Sequence, residues 1–74
     1  MLNACVLIKI VPTKADLILE RVKSISGVRK AYLTYGRFDI AIFLEVSDYK
    51  TIRAITEEIN SIEGVRSTET LVEA

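Results

Sequence analysis

The 74-residue sequence contains no histidine, no tryptophan, one cysteine and one proline. Without histidine, it lacks the commonest metal ligand and the side chain that most often acts as a general base near neutral pH. The single cysteine, Cys5, excludes an internal disulfide. A domain this small buries only about 60% of the surface of its unfolded chain, and small domains without metals or disulfides often depend on oligomerisation. Since 50% of the residues are hydrophobic, we expect subunit contacts to cover part of the apolar surface.

Charge of one sign does not predominate, because ten lysines and arginines balance ten aspartates and glutamates. Proteins that bind nucleic acids neutralise phosphates with a basic surface, whereas the basic residues here are scattered along the chain. The aromatic residues also do not form the Lys/Arg-Gly-Phe pattern of an RNA-recognition motif. The sequence therefore predicts no direct binding to nucleic acids.

The apolar first segment, MLNACVLIKIVP, has the properties of neither a membrane span nor a secretory signal. It is interrupted by Lys9 and too short to cross a bilayer. No basic segment precedes it, and no small-residue cleavage site follows it. Together with the unpaired Cys5, these features predict a cytoplasmic protein that is not attached to a membrane.

Motifs of the common enzyme classes are absent from the sequence. It contains no Cys-x-x-Cys, no Gly-x-Gly-x-x-Gly, no P-loop and no nucleophile elbow. Carboxylate pairs such as Glu57 and Glu58 fit a solvated helix face, whereas a catalytic pair needs an apolar cleft that separates its two pKa values. We therefore expect a protein that is not an enzyme and that uses neither a metal nor a cofactor.

Two similar segments, SISGVRKAYLT and SIEGVRSTETL, begin at Ser24 and Ser61, 37 residues or half the chain apart. Each ends a helical pattern at a glycine and enters a strand at a valine. One interpretation is a repeated half-domain. The other is that two helix-to-strand turns converge on the same residues, because glycine commonly ends helices. In both interpretations the two halves share one architecture.

The first half predicts a strand, a helix and a second strand. In Leu2–Val11 every even position is apolar while the odd positions are mixed, which is typical of a half-buried strand. Pro12 ends this strand, and Thr13 followed by Asp16 resembles a helix-capping box. The second strand is Val28–Tyr35. The apolar stripe of the helix consists of Ala15, Ile18, Val22 and Ile25.

The second half repeats this pattern. The third strand is Phe38–Val46, Ser47 or Asp48 caps the second helix, and Val65–Val72 is a weakly patterned last strand, as edge strands often are. The core face of the third strand consists of Phe38, Ile40, Ile42, Leu44 and Val46. The stripe of the second helix consists of Ile52, Ile55, Ile59 and Ile62.

The order βαββαβ with right-handed crossovers predicts a ferredoxin-like α+β fold with a four-stranded antiparallel sheet and both helices on one face. The other face is too apolar for full exposure to water, which is typical of a contact surface. A second copy related by a two-fold axis would complete a dimeric α+β barrel; the alternative is an open-faced monomer. The expected interface residues are Cys5, Leu7, Ala41 and Phe43, surrounded by Asn3, Lys9, Asp39 and Glu45.

Three motifs on this predicted fold are informative together: Gly-Val-Arg-Lys-Ala-Tyr-Leu-Thr, Tyr-Gly-Arg-Phe-Asp-Ile and, near the end, Ile-Glu-Gly-Val-Arg-Ser-Thr-Glu-Thr. In order and spacing the chain resembles, over essentially residues 1–74, the effector-binding RAM domain of the Lrp/AsnC transcription regulators. Members of that family usually carry an N-terminal helix-turn-helix. Because this sequence begins on the first strand, the resemblance predicts a stand-alone domain without a DNA-binding helix-turn-helix.

The resemblance implies dimers that pair sheet to sheet, rings of dimers, and a small effector, typically an amino acid, where the dimers meet. Carried over by position, the effector-binding residues are Tyr35, Gly36, Arg37, Phe38, Asp39, Thr68 and Thr70. Family members often have an acidic or small polar residue after the turn glycine. Here that residue is Arg37, which either binds a carboxylate or fills the cleft.

The side chains at these positions have chemistry that suits an amino acid. Backbone N–H groups next to Gly36 would bind its carboxylate, because glycine allows close approach, and Asp39 would accept from its ammonium group. The alternative for Asp39 is a hydrogen bond within its own turn. Thr68 and Thr70 share one side of a strand, although β-propensity alone also explains threonines there.

Three functional hypotheses follow from the sequence. The first is an oligomeric module that senses an amino acid or related metabolite and modulates transcription through full-length Lrp/AsnC regulators. The second is a small enzyme built on a dimeric α+β barrel, which would need a polar group in a cavity between sheet and helices. The third is a purely structural assembly module with an empty cleft.

Overall fold

The computed structural model, which describes residues 1–73, has its strands and helices in the predicted order βαββαβ. The elements are β1 (Leu2–Ile10), α1 (Ala15–Lys23), β2 (Val28–Leu33), β3 (Ile40–Val46), α2 (Tyr49–Asn60) and β4 (Val65–Val72), with a 3-10 turn at Pro12–Lys14. The strands form one antiparallel sheet in the order β2-β3-β1-β4. This is the expected ferredoxin-like α+β fold, with β1 and β3 at the centre.

The core lies between the sheet and the two helices and consists of aliphatic side chains. Both predicted helix stripes are buried there, with Ala15 and Ile62 half-buried at their ends. The buried residues are Ala4, Val6, Ile8, Ile10, Ile18, Val22, Ile25, Ala31, Ile40, Ile42, Leu44, Val46, Ile52, Ile55 and Ile59. No polar or charged side chain is buried within residues 1–73. Neither helix in this part of the chain is long and apolar enough to cross a membrane.

The two helices begin in different ways. Asp48 caps α2, since its Oδ1 accepts from the Thr51 hydroxyl at 2.7 Å and from the Thr51 N–H at 2.8 Å. These hydrogen bonds lower the pKa of the Asp48 carboxyl. The capping box predicted at Thr13 is wrong, because residues from Pro12 form the 3-10 turn and no side chain caps α1 at Lys14. The fixed φ of proline suits the first turn of a helix, and its missing N–H leaves one donor fewer to be capped there.

The two repeated segments have the same local geometry. Gly27 and Gly64 adopt φ angles of +99° and +101°, which side chains with a Cβ rarely tolerate. Each preceding helix ends at a serine whose hydroxyl donates to the carbonyl three residues earlier, at 2.7 and 2.6 Å. In the strands that follow, the pairing register shifts by one residue, which leaves Arg29 in β2 and Arg66 in β4 as bulged residues. The resemblance between the halves therefore extends to strand pairing.

The hairpin between β2 and β3 departs from the prediction. β2 ends at Leu33 rather than Tyr35, and β3 begins at Ile40 rather than Phe38. The intervening residues form an irregular loop, in which the alternation of a strand does not hold. Phe38 is only half-buried and lies outside the core cluster, so its predicted core position is wrong.

Candidate functional site

The sheet face opposite the helices is apolar at its centre. Cys5 pairs with Phe43, and Leu7 pairs with Ala41, while their neighbours along each strand are buried against the helices. Phe43 is 40% exposed, and the Tyr32 ring packs against it edge-on with centroids 5.8 Å apart. We name this surface the open face, defined by Cys5, Leu7, Tyr32, Ala41, Phe43 and Leu71.

Polar groups surround the open face at both ends of β1. At one end, the Arg29 guanidinium forms an ion pair of 2.8 Å with the Glu45 carboxylate. At the other end, the Lys9 ammonium donates to the backbone carbonyl of Arg37 at 2.9 Å. Burial raises the pKa of the Cys5 thiol between them, so the reactive thiolate is disfavoured and Cys5 acts as an apolar residue.

Asp39 is not on the open face, where strand alternation predicts it. Its N–H donates to the Ile8 carbonyl at 2.8 Å, and its Oδ2 accepts from the Ile10 N–H at 2.9 Å. Because β3 begins only at Ile40, no strand carbonyl stands opposite the Ile10 N–H, and the carboxylate supplies the acceptor. The side-chain partner of Asp39 is therefore the neighbouring strand, rather than the residue's own turn.

A recess of about 400 Å³ lies between the hairpin and the adjoining ends of β1 and β4. We name it the hairpin recess, and its lining residues are Lys9, Arg37, Phe38, Ser67, Thr68 and Glu69. Arg37, Phe38 and Thr68 belong to the predicted effector site, whereas the other three residues do not. The fold therefore brings together part of the predicted site and adds both charged and hydroxyl groups to it.

The remaining predicted site residues lie elsewhere. Tyr35 and Asp39 line a separate recess of about 240 Å³ together with Pro12 and Ala15, at the start of α1. Gly36 has a φ of +115° and open space around its α-carbon, and Thr70 lines neither recess. Five of the seven predicted residues are thus divided between two recesses, and Gly36 and Thr70 line neither.

The register of β4 explains which residues the sequence prediction missed. Thr68 and Thr70 pair with buried residues of β1 and therefore point toward the helix-covered side. Ser67 pairs with Lys9, and Glu69 follows two residues later on the same side as the open face. Lys9 was visible in the sequence as the charge on the mixed face of the first strand. The weak alternation of β4 gave no comparable signal for Ser67 and Glu69.

The fold, the open face and the hairpin recess define a small α+β binding domain. Comparison with known sequences identifies its family. The sequence pattern of the Lrp/AsnC ligand binding domain matches residues 3–73. The chain therefore belongs to the Lrp/AsnC ligand-binding domain family. None of the curated proteins matches the sequence significantly.

Solved structures share the fold of this chain. TTHA0845 from Thermus thermophilus is 28% identical with a TM-score of 0.95, over 100% of this chain and 94% of that one. The hypothetical protein PHS023 from Pyrococcus horikoshii is 25% identical with a TM-score of 0.90, over 100% and 90%. AsnC from E. coli, at 23% identity and a TM-score of 0.87, shares the fold over 97% of this chain, which spans 50% of that protein.

Proposed function

We propose that this domain binds an amino acid or a related metabolite in the hairpin recess and thereby takes part in regulating transcription. The observation that carries the proposal is the recess, where Arg37 and Phe38 meet β4 in a chain from a ligand-binding family. The Arg37 guanidinium supplies a bidentate donor for a carboxylate, and Phe38 supplies apolar surface. A volume of about 400 Å³ lies within the usual range for small-molecule sites.

The open face supports assembly into dimers. Tyr32, Phe43 and Leu71 leave large apolar groups of this face in contact with water, around Cys5 and Leu7, which are half-buried, and Ala41, which is buried. Such patches commonly mark protein interfaces. A two-fold axis would place the same patch of both copies face to face. We propose that these dimers form a ring, as the family resemblance implies, so that each hairpin recess lies near a neighbouring dimer.

One structural relative makes amino acids the first ligands to test. A transcriptional regulator from Neisseria meningitidis has been solved in complex with L-Met. It has a TM-score of 0.85 and 16% identity over 99% of this chain, which spans 49% of that protein. At this identity the likeness concerns the fold alone and assigns no residues here. The bound L-Met is the reason to test amino acids first.

The proposed route to transcription is mixed assembly with full-length Lrp/AsnC regulators. An open face that pairs with its own copy would also pair with a closely similar sheet, since the same apolar centre is covered. A small enzyme would instead need a polar group in a cavity between sheet and helices. That layer contains no buried polar or charged side chain among residues 1–73, which favours ligand binding over catalysis.

Isothermal titration with each of the twenty amino acids tests the sensing role. We expect heat of binding for at least one, with a higher thermal midpoint because ligand binding stabilises the native state. Phe38→Ala should weaken that binding, whereas Leu17→Ala, at a site 74% exposed on α1, should not. If no amino acid produced heat or a thermal shift, the domain would be an assembly module rather than a sensor.

Light scattering and co-purification test the assembly role. Wild-type protein should have at least twice the mass of one chain, and it should co-purify with a full-length family regulator. Phe43→Glu should abolish both properties by placing a charge in the open face, while Leu17→Glu, outside that face, should preserve them. A monomeric wild type, or equal behaviour of the two variants, would contradict the proposed interface.

A further inference from the structure

The hairpin recess contains more positive than negative charge. Lys9 and Arg37 contribute two cations, and Glu69 contributes one carboxylate, so the lining has a net charge of +1 near neutral pH. A zwitterionic amino acid with a neutral side chain would leave this excess uncompensated. A ligand with one additional carboxylate would compensate it.

The two cations are not neutralised by the described part of the chain. Among residues 1–73 the ion pairs are Lys14–Glu63, Lys23–Glu20 and Arg29–Glu45, and none of them involves the lining of the hairpin recess. The Lys9 ammonium donates to the Arg37 carbonyl, which holds it beside the hairpin and leaves two of its three donor hydrogens for other acceptors. Both charges are therefore available to a ligand.

A second recess on the same sheet face shows the contrast. It is lined in part by Arg29, Lys30 and Glu45, and the Arg29 guanidinium is already paired with the Glu45 carboxylate at 2.8 Å. The lining of this second recess has the same net charge of +1, but Glu45 already neutralises one of its two cations. The hairpin recess differs in that neither of its two cations, Lys9 and Arg37, forms an ion pair with a carboxylate of residues 1–73.

The acceptor for a ligand ammonium group must also be reassigned. The Asp39 Oδ2 accepts from the Ile10 N–H, and Asp39 lines the other recess. Glu69 is the carboxylate in the hairpin recess, and Ser67 stands two residues away on the same side of β4, about 7 Å along the strand. One anionic acceptor and two cations are therefore arranged around the same space.

We infer that the ligand of the hairpin recess is an acidic amino acid, with its two carboxylates bound by Lys9 and Arg37 and its ammonium group bound by Glu69. This inference depends on the proposed function, since it specifies the ligand class of the same site. It predicts preference for glutamate or aspartate over their amides, which have nearly the same shape but lack one charge.

Isothermal titration of the full chain with L-glutamate, L-aspartate, L-glutamine and L-asparagine tests this preference. We expect at least one acid to bind about tenfold or more tightly than its amide, as one additional favourable charge contact would produce. Added salt should weaken binding of the acid more than binding of the amide.

Charge-removing variants identify the residues that determine the preference. Lys9→Gln and Arg37→Gln should each reduce the affinity for the acid several-fold more than that for the amide. The matched control is Lys50→Gln, at an exposed position of α2, which should leave both affinities unchanged. Circular dichroism and light scattering of each variant test whether the fold and the mass are unchanged, as we expect.

The outcomes separate the ligand class from the proposed function. If neutral amino acids bound as tightly as the acids, or more tightly, this inference would be overturned while amino-acid sensing survived. If none of the twenty amino acids bound, both would fail. If Lys9→Gln and Arg37→Gln changed the mass without changing the acid-to-amide ratio, the cations would belong to a subunit contact, which also overturns the inference.

Discussion

Two neighbouring residues of β3 show how differently the two faces of the sheet are covered. Ile42 is fully buried at 0% exposure, whereas Phe43 is 40% exposed on the open face. Both are large apolar side chains on one strand, where successive residues point to opposite faces. The difference arises because both helices pack on one face and nothing in residues 1–73 covers the other. Apolar side chains therefore indicate that a sheet face is shielded from water. The fold determines whether the helices of the same chain shield it.

The largest expected effect distinguishes these two residues directly. Ile42→Ala should lower the free energy of unfolding by about 2–5 kcal/mol, because it leaves a cavity in a packed core. Phe43→Ala should have an effect that depends on protein concentration, since in the proposed dimer the lost contacts lie between subunits. Urea unfolding at two protein concentrations measures both. Equal, concentration-independent losses would mean that the open face is not an interface.

Gly64 and Gly36 differ in how closely other side chains surround them. A Cβ on Gly64 would stand 3.0 Å from Ile18 and Lys14 side-chain atoms, whereas one on Gly36 would meet nothing within 4 Å. Both substitutions to alanine strain a positive φ, at about 1–2 kcal/mol. Gly64→Ala should cost about 1–3 kcal/mol more through overpacking. Urea titration of both variants provides the test, and a larger loss for Gly36→Ala would contradict it.

The next prediction concerns Asp39, which connects the hairpin to β1. Asp39→Ala should destabilise the protein by about 1–3 kcal/mol, because it leaves the Ile10 N–H without an acceptor. Asp39→Asn should cost less, since an amide oxygen still accepts. Faster hydrogen exchange at the Ile10 amide in the alanine variant would locate the effect. Unchanged exchange there would show that Asp39 acts elsewhere, for example on the ligand.

The smallest effect concerns the exposed cap of α2. The pKa of Asp48 is lowered in the folded state by hydrogen bonds from Thr51, so its stabilisation is present above the unfolded pKa and is lost as pH falls through the folded pKa. Asp48→Ala should therefore lower the thermal midpoint modestly at neutral pH and less in acid. Asp48→Asn, which caps without titrating, is the control. A gap between wild type and the alanine variant that widened in acid would contradict this account.

Regular segments were predicted well from the sequence, and irregular ones were not. The stripes containing Ile18, Val22, Ile55 and Ile59 are buried as expected, because periodicity inside a helix depends only on its own geometry. Phe38 and Asp39 were assigned by extending strand alternation into a loop, where no fixed period applies. The effector-site residues remain a prediction, although Arg37, Phe38 and Thr68 do line one recess.

The order of the elements, the helix-covered face and the centre of the open face, at Cys5, Leu7, Ala41 and Phe43, follow from local periodicity and were predictable from the sequence. The tertiary structure alone decided that Asp39 caps β1 and that Ser67 and Glu69, rather than Thr68 and Thr70, point to the open side. The physical reason is that the orientation of an edge strand depends on its pairing register, and a shift of one residue reverses every side chain. Register depends on which residues of two distant segments pair, and the local pattern of one segment does not specify this.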